Sequence, residues 1–317
     1  MLNILYKETD GDIHHYSDRL LPESYDCKCF SWVELFNPNN DDLQFVQDMY
    51  GLNLEDMNEM RESQYEGHLL RTGNQVTLRC PFLVVDNVDV ITMDYSLIIM
   101  KDNLIATVCY DNRTLLSFNG SKMDWFKHVN NSFDFILETL EEEFTKDATV
   151  LDKVSKESSV LGKSITFDKN LNEDLLIGIN DCQEYILTLR RCITEKQRLI
   201  SLLLRSGGMD SQCSNHFKTV AYDLKALLDD SNFHFQRLEY FQNTFLGLVG
   251  LEQNKVIKIF TVATVIFMPP TLIASAYGMN FKYMPELDWR YGYFIIIILM
   301  IISSLGTLGY FRNKKWL

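Results

Sequence analysis

Two stretches near the end of the chain, Ile259 to Phe281 and Tyr291 to Phe311, contain no charged side chain. Crossing the roughly 30 Å hydrocarbon core of a bilayer takes about 20 apolar residues in a helix, so both are long enough to span. The second, "YFIIIILMIISSLGTLGYF", is apolar around its whole circumference, unlike a helix with one face in water. Up to about residue 250 charge and hydrophobe mix as in a globular protein. The chain therefore has to fold as a large water-facing portion followed by a membrane hairpin.

The flanks orient that hairpin. Lys255 and Lys258 precede the first run, and Arg312, Lys314 and Lys315 follow the second. The segment between them carries Lys282 and Arg290 but also Glu286 and Asp288. Basic residues favour the cytoplasmic side. Both ends are expected inside, the connecting loop outside, and the spans at about 259–277 and 291–311.

Charge and cysteine usage narrow the partners. The net charge of -13 excludes nucleic acid, whose phosphates need clustered Lys and Arg, and suits a surface that collects cations. Seven scattered cysteines without a CxxC fit a reducing compartment. Cys27 and Cys29 are expected as buried thiols on a strand face, not as ligands of a soft metal. "MLNILYKETDGD" meets acidic residues too early for a secretory leader. No nucleophile–base pair is visible, and His14-His15 lack a third ligand at metal spacing. Neither a catalytic residue nor a cofactor is expected.

Residues 1–125 read as a cytoplasmic α/β domain. "CKCFSWVELF" and "QVTLRCPFLVV" are strand-like, and "YSLIIMKDNLIATVCYDN" reads as a hairpin turning at Lys101-Asp102-Asn103. "NNDDLQFVQDMYG" has a helical pattern with an Asn/Asp start and a Gly stop. From 126 to 253 the pattern is helical, with apolar residues such as Phe133, Ile136, Leu137, Leu140 and Phe144 at three- and four-residue spacing. A second helix covers roughly Glu173 to Leu204 and ends at Ser206-Gly207-Gly208. A third starts near Ser214 and shows no clear break before the membrane, so one very long stalk helix, or two collinear ones, should enter the bilayer. Residues 254–317 form the hairpin. The Gly162-Lys163-Ser164 triplet lacks the upstream glycine and the preceding strand of a phosphate-binding loop. Glu141-Glu142-Glu143 is expected as a solvated helix face, with cation holding as the alternative.

The first span carries a polar stripe. At about 100° per residue, Asn254, Thr261, Thr264, Met268, Thr271 and Ser275 fall within one arc, with Ile257 beside them. Lipid cannot satisfy such a stripe; it faces water or other protein. Hydroxyls bonded to their own preceding turn, or small polar residues packing helix on helix, are the competing readings. Two spans cannot enclose a pore, so a pore would need several copies in a ring. Pro269 and Pro270 remove the helical partners of the Val265 and Ile266 carbonyls, which calls for a bend, pore-facing carbonyls or buried packing.

Between the spans stands "SAYGMNFKYMPELDW". "YGMN" followed by "MPEL", after "FMPPTLIASAY" and ahead of a second span with a basic tail, resembles the CorA family of divalent-cation channels. The likeness is strongest over Asn254–Leu317 and looser over the whole chain. It implies an α+β fold: an N-terminal α/β domain, a long helical stalk and a two-helix hairpin, assembled as a homopentameric funnel in the bacterial inner membrane. The first span would line the pore. Gly278, Met279 and Asn280 would form the outer filter, with Asn280 offering its carbonyl oxygen, Gly278 a backbone oxygen and Met279 support. Asn254, Met268 and Thr271 match positions along the path, and Phe260 a hydrophobic gate. Glu286 and Asp288 would attract cations, although Lys282 stands where many relatives carry an acid. Mg²⁺ would be both substrate and regulatory ligand, with Co²⁺ and Ni²⁺ also passing. Closure by intracellular Mg²⁺ would use acidic sites, for which Asp86, Asp89, Asp223, Asp229 and Asp230 are candidates. A zinc-transporting relative and a non-conducting two-span scaffold are the alternatives; the intact Gly-Met-Asn speaks against the first.

Overall fold

A computed structural model describes residues 2–7, 12–17, 30–54, 69–85, 91–109, 125–167, 172–279, 284 and 289–314. Among these residues seven strands form one mixed sheet: β1 (Leu2–Lys7), β2 (Ile13–Ser17), β3 (Phe30–Phe36), β4 (Leu69–Thr72), β5 (Gln75–Val85), β6 (Ile91–Lys101) and β7 (Leu104–Cys109). Their spatial order is β2-β1-β3-β7-β6-β5-β4. Only β3 and β7 pair in parallel; every other neighbour is antiparallel. The β6–β7 hairpin turns where expected, with Asp102 at φ 50, a conformation that Asp tolerates better than most residues. Strands β1 and β2 were not anticipated from the sequence.

Alternation along the strands gives the sheet two apolar faces. Leu2, Ile4, Val33, Leu35, Ile99, Ala106 and Val108 join Val46 of helix α1 (Asn40–Tyr50) in one core. That helix starts with a reciprocal capping box between Asn39 and Asp42 and stops at Gly51, φ 61. The residues of opposite parity, among them Leu5, Trp32, Leu78, Cys80, Ile98 and Ile105, form the second core. This core includes Phe135 and Leu140 of α2 (Ser132–Phe167), Ile193 and Leu199 of α3 (Glu173–Ser206) and Phe217 and Leu224 of α4 (Ser211–Tyr277). Trp32 meets Phe135 edge-on at 5.3 Å, and its indole N–H donates to Thr107 Oγ1 at 3.0 Å. The cysteines among the described residues (Cys80, Cys109, Cys182, Cys192 and Cys213) are buried thiols. Cys27 and Cys29 lie outside the described residues.

The chain divides into two units, Met1–Gln242 and Asn243–Leu317, and α4 contributes to both. Within the first unit the acidic run corrects the sequence reading. Glu141 is exposed, but Glu143 is buried together with Asp147 one turn on. Lys196 of α3 is fully buried against them, its Nζ at 2.8 Å from Asp147 Oδ2 and 3.5 Å from Glu143 Oε2. Lys146 also pairs with Glu143, at 2.8 Å. Burial pushes the Asp147 carboxyl up to about 6, with the Lys196 charge opposing. For Lys196 burial works against the charge, and the neighbouring Cys192, Asp147 and Glu143 together outweigh it, so the amine is held above its usual range.

The Gly162 of the dismissed triplet has a packing role. A Cβ placed there would stand 2.4 Å from Phe241 Cζ, so the ring from α4 fills the space that a side chain on α2 would need. We expect Gly162→Ala to destabilise this unit by about 1–3 kcal/mol through overpacking. Thermal unfolding checks it; an unchanged midpoint would mean that Phe241 swings aside freely.

In the second unit, the C-terminal part of α4 and α5 (Gly292–Asn313) are both long and apolar enough to cross a membrane. Neither apolar window is buried within the chain. Large side chains such as Phe267, Tyr293, Phe294 and Ile302 stand exposed, as expected when lipid is the solvent.

Candidate functional site

Helix α4 runs without a break through Pro269 and Pro270. All eight pore-lining candidates (the stripe residues Asn254, Thr261, Thr264, Met268, Thr271 and Ser275, with Ile257 and the gate candidate Phe260) are exposed. Val262, Val265, Ile266, Pro269, Pro270, Ile273 and Tyr277 are half-buried instead. At about 100° per residue the two sets centre on nearly opposite sides of the helix. The Ser304 hydroxyl of α5 reaches Ile266 O at 3.5 Å, which places the second span on the half-buried side. The polar stripe therefore faces away from α5.

The threonines of the stripe spend their protons inside their own helix. Thr261 donates to Ile257 O at 2.8 Å, Thr264 to Phe260 O at 2.8 Å and Thr271 to Phe267 O at 2.7 Å. Each hydroxyl oxygen keeps lone pairs, so towards the exposed side it acts as an acceptor. This is the local bonding weighed above as a competing reading, and it leaves the acceptor capacity intact. Ser304 bears on the proline question: its hydroxyl reaches the Ile266 carbonyl from the second span, on the side away from the stripe.

At the end of α4 the Gly278 N–H donates to Ala274 O at 2.9 Å. A Cβ on Gly278 would stand 3.1 Å from that same backbone oxygen, so a larger residue strains the helix end. Met279 follows, half exposed to the surroundings. Asn280, Glu286 and Asp288 lie outside the described residues, as do Asp86 and Asp89. On α4, Asp223 is half-buried, while Asp229 and Asp230 are exposed. Asp230 Oδ1 lies 3.8 Å from His234 Nε2. Burial raises the nearby Glu141 carboxyl, and Glu138 and Asp223 add to the effect. Among the described residues no three His, Cys, Asp or Glu side chains cluster closely enough to hold a metal ion.

Sequence reasoning missed Ser304 and the Lys196 pair. The serine was visible as a polar residue in the apolar second run, but its partner was not. The lysine had no local signal.

A mixed-sheet domain, a helix of 67 residues whose C-terminal part is apolar enough to span, and a second apolar helix of membrane length define an integral membrane protein of the CorA fold. The complete structure of the CorA magnesium transporter from Methanocaldococcus jannaschii matches with a TM-score of 0.83 at 18% identity, over 100% of this chain and 99% of that one. The family model described as CorA-like Mg²⁺ transporter protein matches residues 28–314, and the chain belongs to that family. The magnesium transport protein CorA of Helicobacter pylori strain J99 is 33% identical over 288 residues, 90% of each chain. The magnesium transport protein CorA of Wolinella succinogenes is 29% identical over 322 residues, 100% of each.

Proposed function

We propose that copies of this chain form a ring, a homopentamer by family, around a water-filled path through which Mg²⁺ enters the cell, with Co²⁺ and Ni²⁺ as lesser substrates. The observation that carries the reading is the first span's exposed face, opposite the second span, with hydroxyl protons turned inward and acceptor oxygens outward. Mg²⁺ gives up its octahedral waters reluctantly, and those waters present protons. Neutral acceptors at Asn254, Thr261, Thr264, Thr271 and Ser275 suit that hydrated ion. At the outer mouth the Gly278-Met279-Asn280 turn acts as filter. Amide oxygens there bind weakly enough for release, as conduction requires; a ring of carboxylates would retain the ion. A ring of Phe260 side chains, with Ile257 one turn nearer the cytoplasm, supplies an apolar constriction that can close by dewetting. Glu286 and Asp288 raise the local cation concentration outside.

Inward movement of a double charge gains about 4.6 kcal/mol per 100 mV, so membrane potential suffices as the driving force. Such a gradient calls for a gate. Intracellular Mg²⁺ acting on acidic residues of the cytoplasmic unit fills that role, with exposed Asp229 and Asp230, half-buried Asp223, and Asp86 and Asp89 as candidates. The protein would sit in the bacterial inner membrane with both termini in the cytoplasm.

The test is flux into liposomes containing the purified chain, with Mg²⁺, Co²⁺, Ni²⁺ and Zn²⁺ in competition. Mg²⁺ entry inhibited by Co²⁺ is expected. Entry of Zn²⁺ alone would assign the chain to zinc transport, and no entry of any ion would leave a non-conducting scaffold.

A further inference from the structure

Pro270 has no N–H, so the Ile266 carbonyl one turn earlier lacks its helical donor. Within a bilayer an unpaired carbonyl is costly, because no water is available to take its place. The donor comes from the other span: Ser304 Oγ lies 3.5 Å from Ile266 O, across 38 residues of sequence. The contact is longer than an ideal hydroxyl bond, but its partner is the very carbonyl that Pro270 orphans. Ser304 is also unusual among its neighbours. Ser303 donates to Met300 O, and Thr307 to Ser303 O and Ser304 O, all within α5. Thr261, Thr264 and Thr271 likewise donate within α4. Bonding to the preceding turn is the usual habit of a helical hydroxyl, and Ser304 turns to another helix instead.

We propose that Ser304 is a positioning residue for ion conduction: its hydroxyl takes up the carbonyl freed by Pro270 and so fixes the rotation of the first span. Ile266 lies nearly opposite Thr264, Met268 and Thr271 on the helix, by about 100° per residue. Tying its carbonyl to α5 holds those three on the side away from the second span. Without the hydroxyl the carbonyl finds another donor only by bending or turning the span, which displaces the acceptor stripe. The inference rests on the reading that this stripe faces the ion path.

The test is a cycle of variants of the full chain in liposomes. Ser304→Ala is expected to lower Mg²⁺ flux about three- to tenfold, the worth of one net hydrogen bond. Ser304→Thr, which keeps the hydroxyl, should restore it. In a Pro270→Ala background the new N–H pairs with Ile266, so adding Ser304→Ala should change flux by less than about twofold. Equal flux from Ser304→Ala and the parent, or the same loss in both backgrounds, overturns the proposal. A second readout does not depend on conduction. A hydrophilic thiol reagent should label Thr264→Cys faster than Ile273→Cys, with the unsubstituted chain as background. Ser304→Ala should narrow that ratio about threefold or more, and the Pro270→Ala background should abolish the narrowing. An unmoved ratio sinks the clamp. A parent chain that labels as expected but carries no Mg²⁺ fails the functional reading alone.

Discussion

Asn280→Ala is expected to reduce Mg²⁺ flux through reconstituted protein about a hundredfold or more, while assembly and membrane insertion stay intact. One neutral hydrogen bond contributes about 1 kcal/mol net, and the proposed ring of copies would lose one from each at the same point of the path. The hydrated ion then meets methyl groups where it needs acceptors for its water protons. Asn280→Asp should fail differently, binding Mg²⁺ more tightly and passing it more slowly, because release becomes limiting. Flux and equilibrium binding measured side by side distinguish the two variants. Undiminished flux from Asn280→Ala would remove the Gly-Met-Asn turn from the filter and return the question to the stripe within the span.

The other large effect is expected in the unit that holds the sheet. Lys196→Met should destabilise the Met1–Gln242 unit by about 3–5 kcal/mol, since it leaves the buried Asp147 carboxylate without its closest counter-charge. That corresponds to a fall of about 10 °C in the unfolding midpoint. The loss should also depend on pH in a predictable direction. Burial already raises Asp147 from its ordinary 3.8 to about 6, against the opposing Lys196 charge. Without Lys196 it rises further. A carboxyl whose folded value lies above its unfolded value stabilises the fold at low pH, and that contribution is lost as pH rises through the folded value. The deficit of Lys196→Met should therefore shrink between about pH 8 and pH 5.5. Replacing Glu143, Asp147 and Lys196 together by apolar residues of similar volume should cost far less than the single change. A midpoint unmoved by Lys196→Met would show that water reaches the cluster.

Much of this architecture is local and therefore readable. The turn at Asp102-Asn103, the cap at Asn39 and the stop at Gly51 depend on residues within a few positions of one another. The long helices announce themselves by a recurring apolar spacing, and the spans by length without charge. The candidate filter was legible for another reason: Asn280 carries no intrinsic sign of its role, and only the likeness of the "YGMN" and "MPEL" context to a known family points to it.

The sequence by itself thus determined the strand and helix segments it marked, the two membrane-length helices and which residues share the polar face of the first. Tertiary structure decided what lies opposite each face. It placed Glu143 against Lys196, 53 residues away, where a surface run was expected. It set Gly162 beneath Phe241 and turned Ser304 towards the carbonyl that Pro270 left unpaired. Periodicity reports only which side of its own helix a residue occupies, because backbone geometry repeats within a few residues. The neighbour on that side is chosen by packing between distant segments, and no local pattern encodes it.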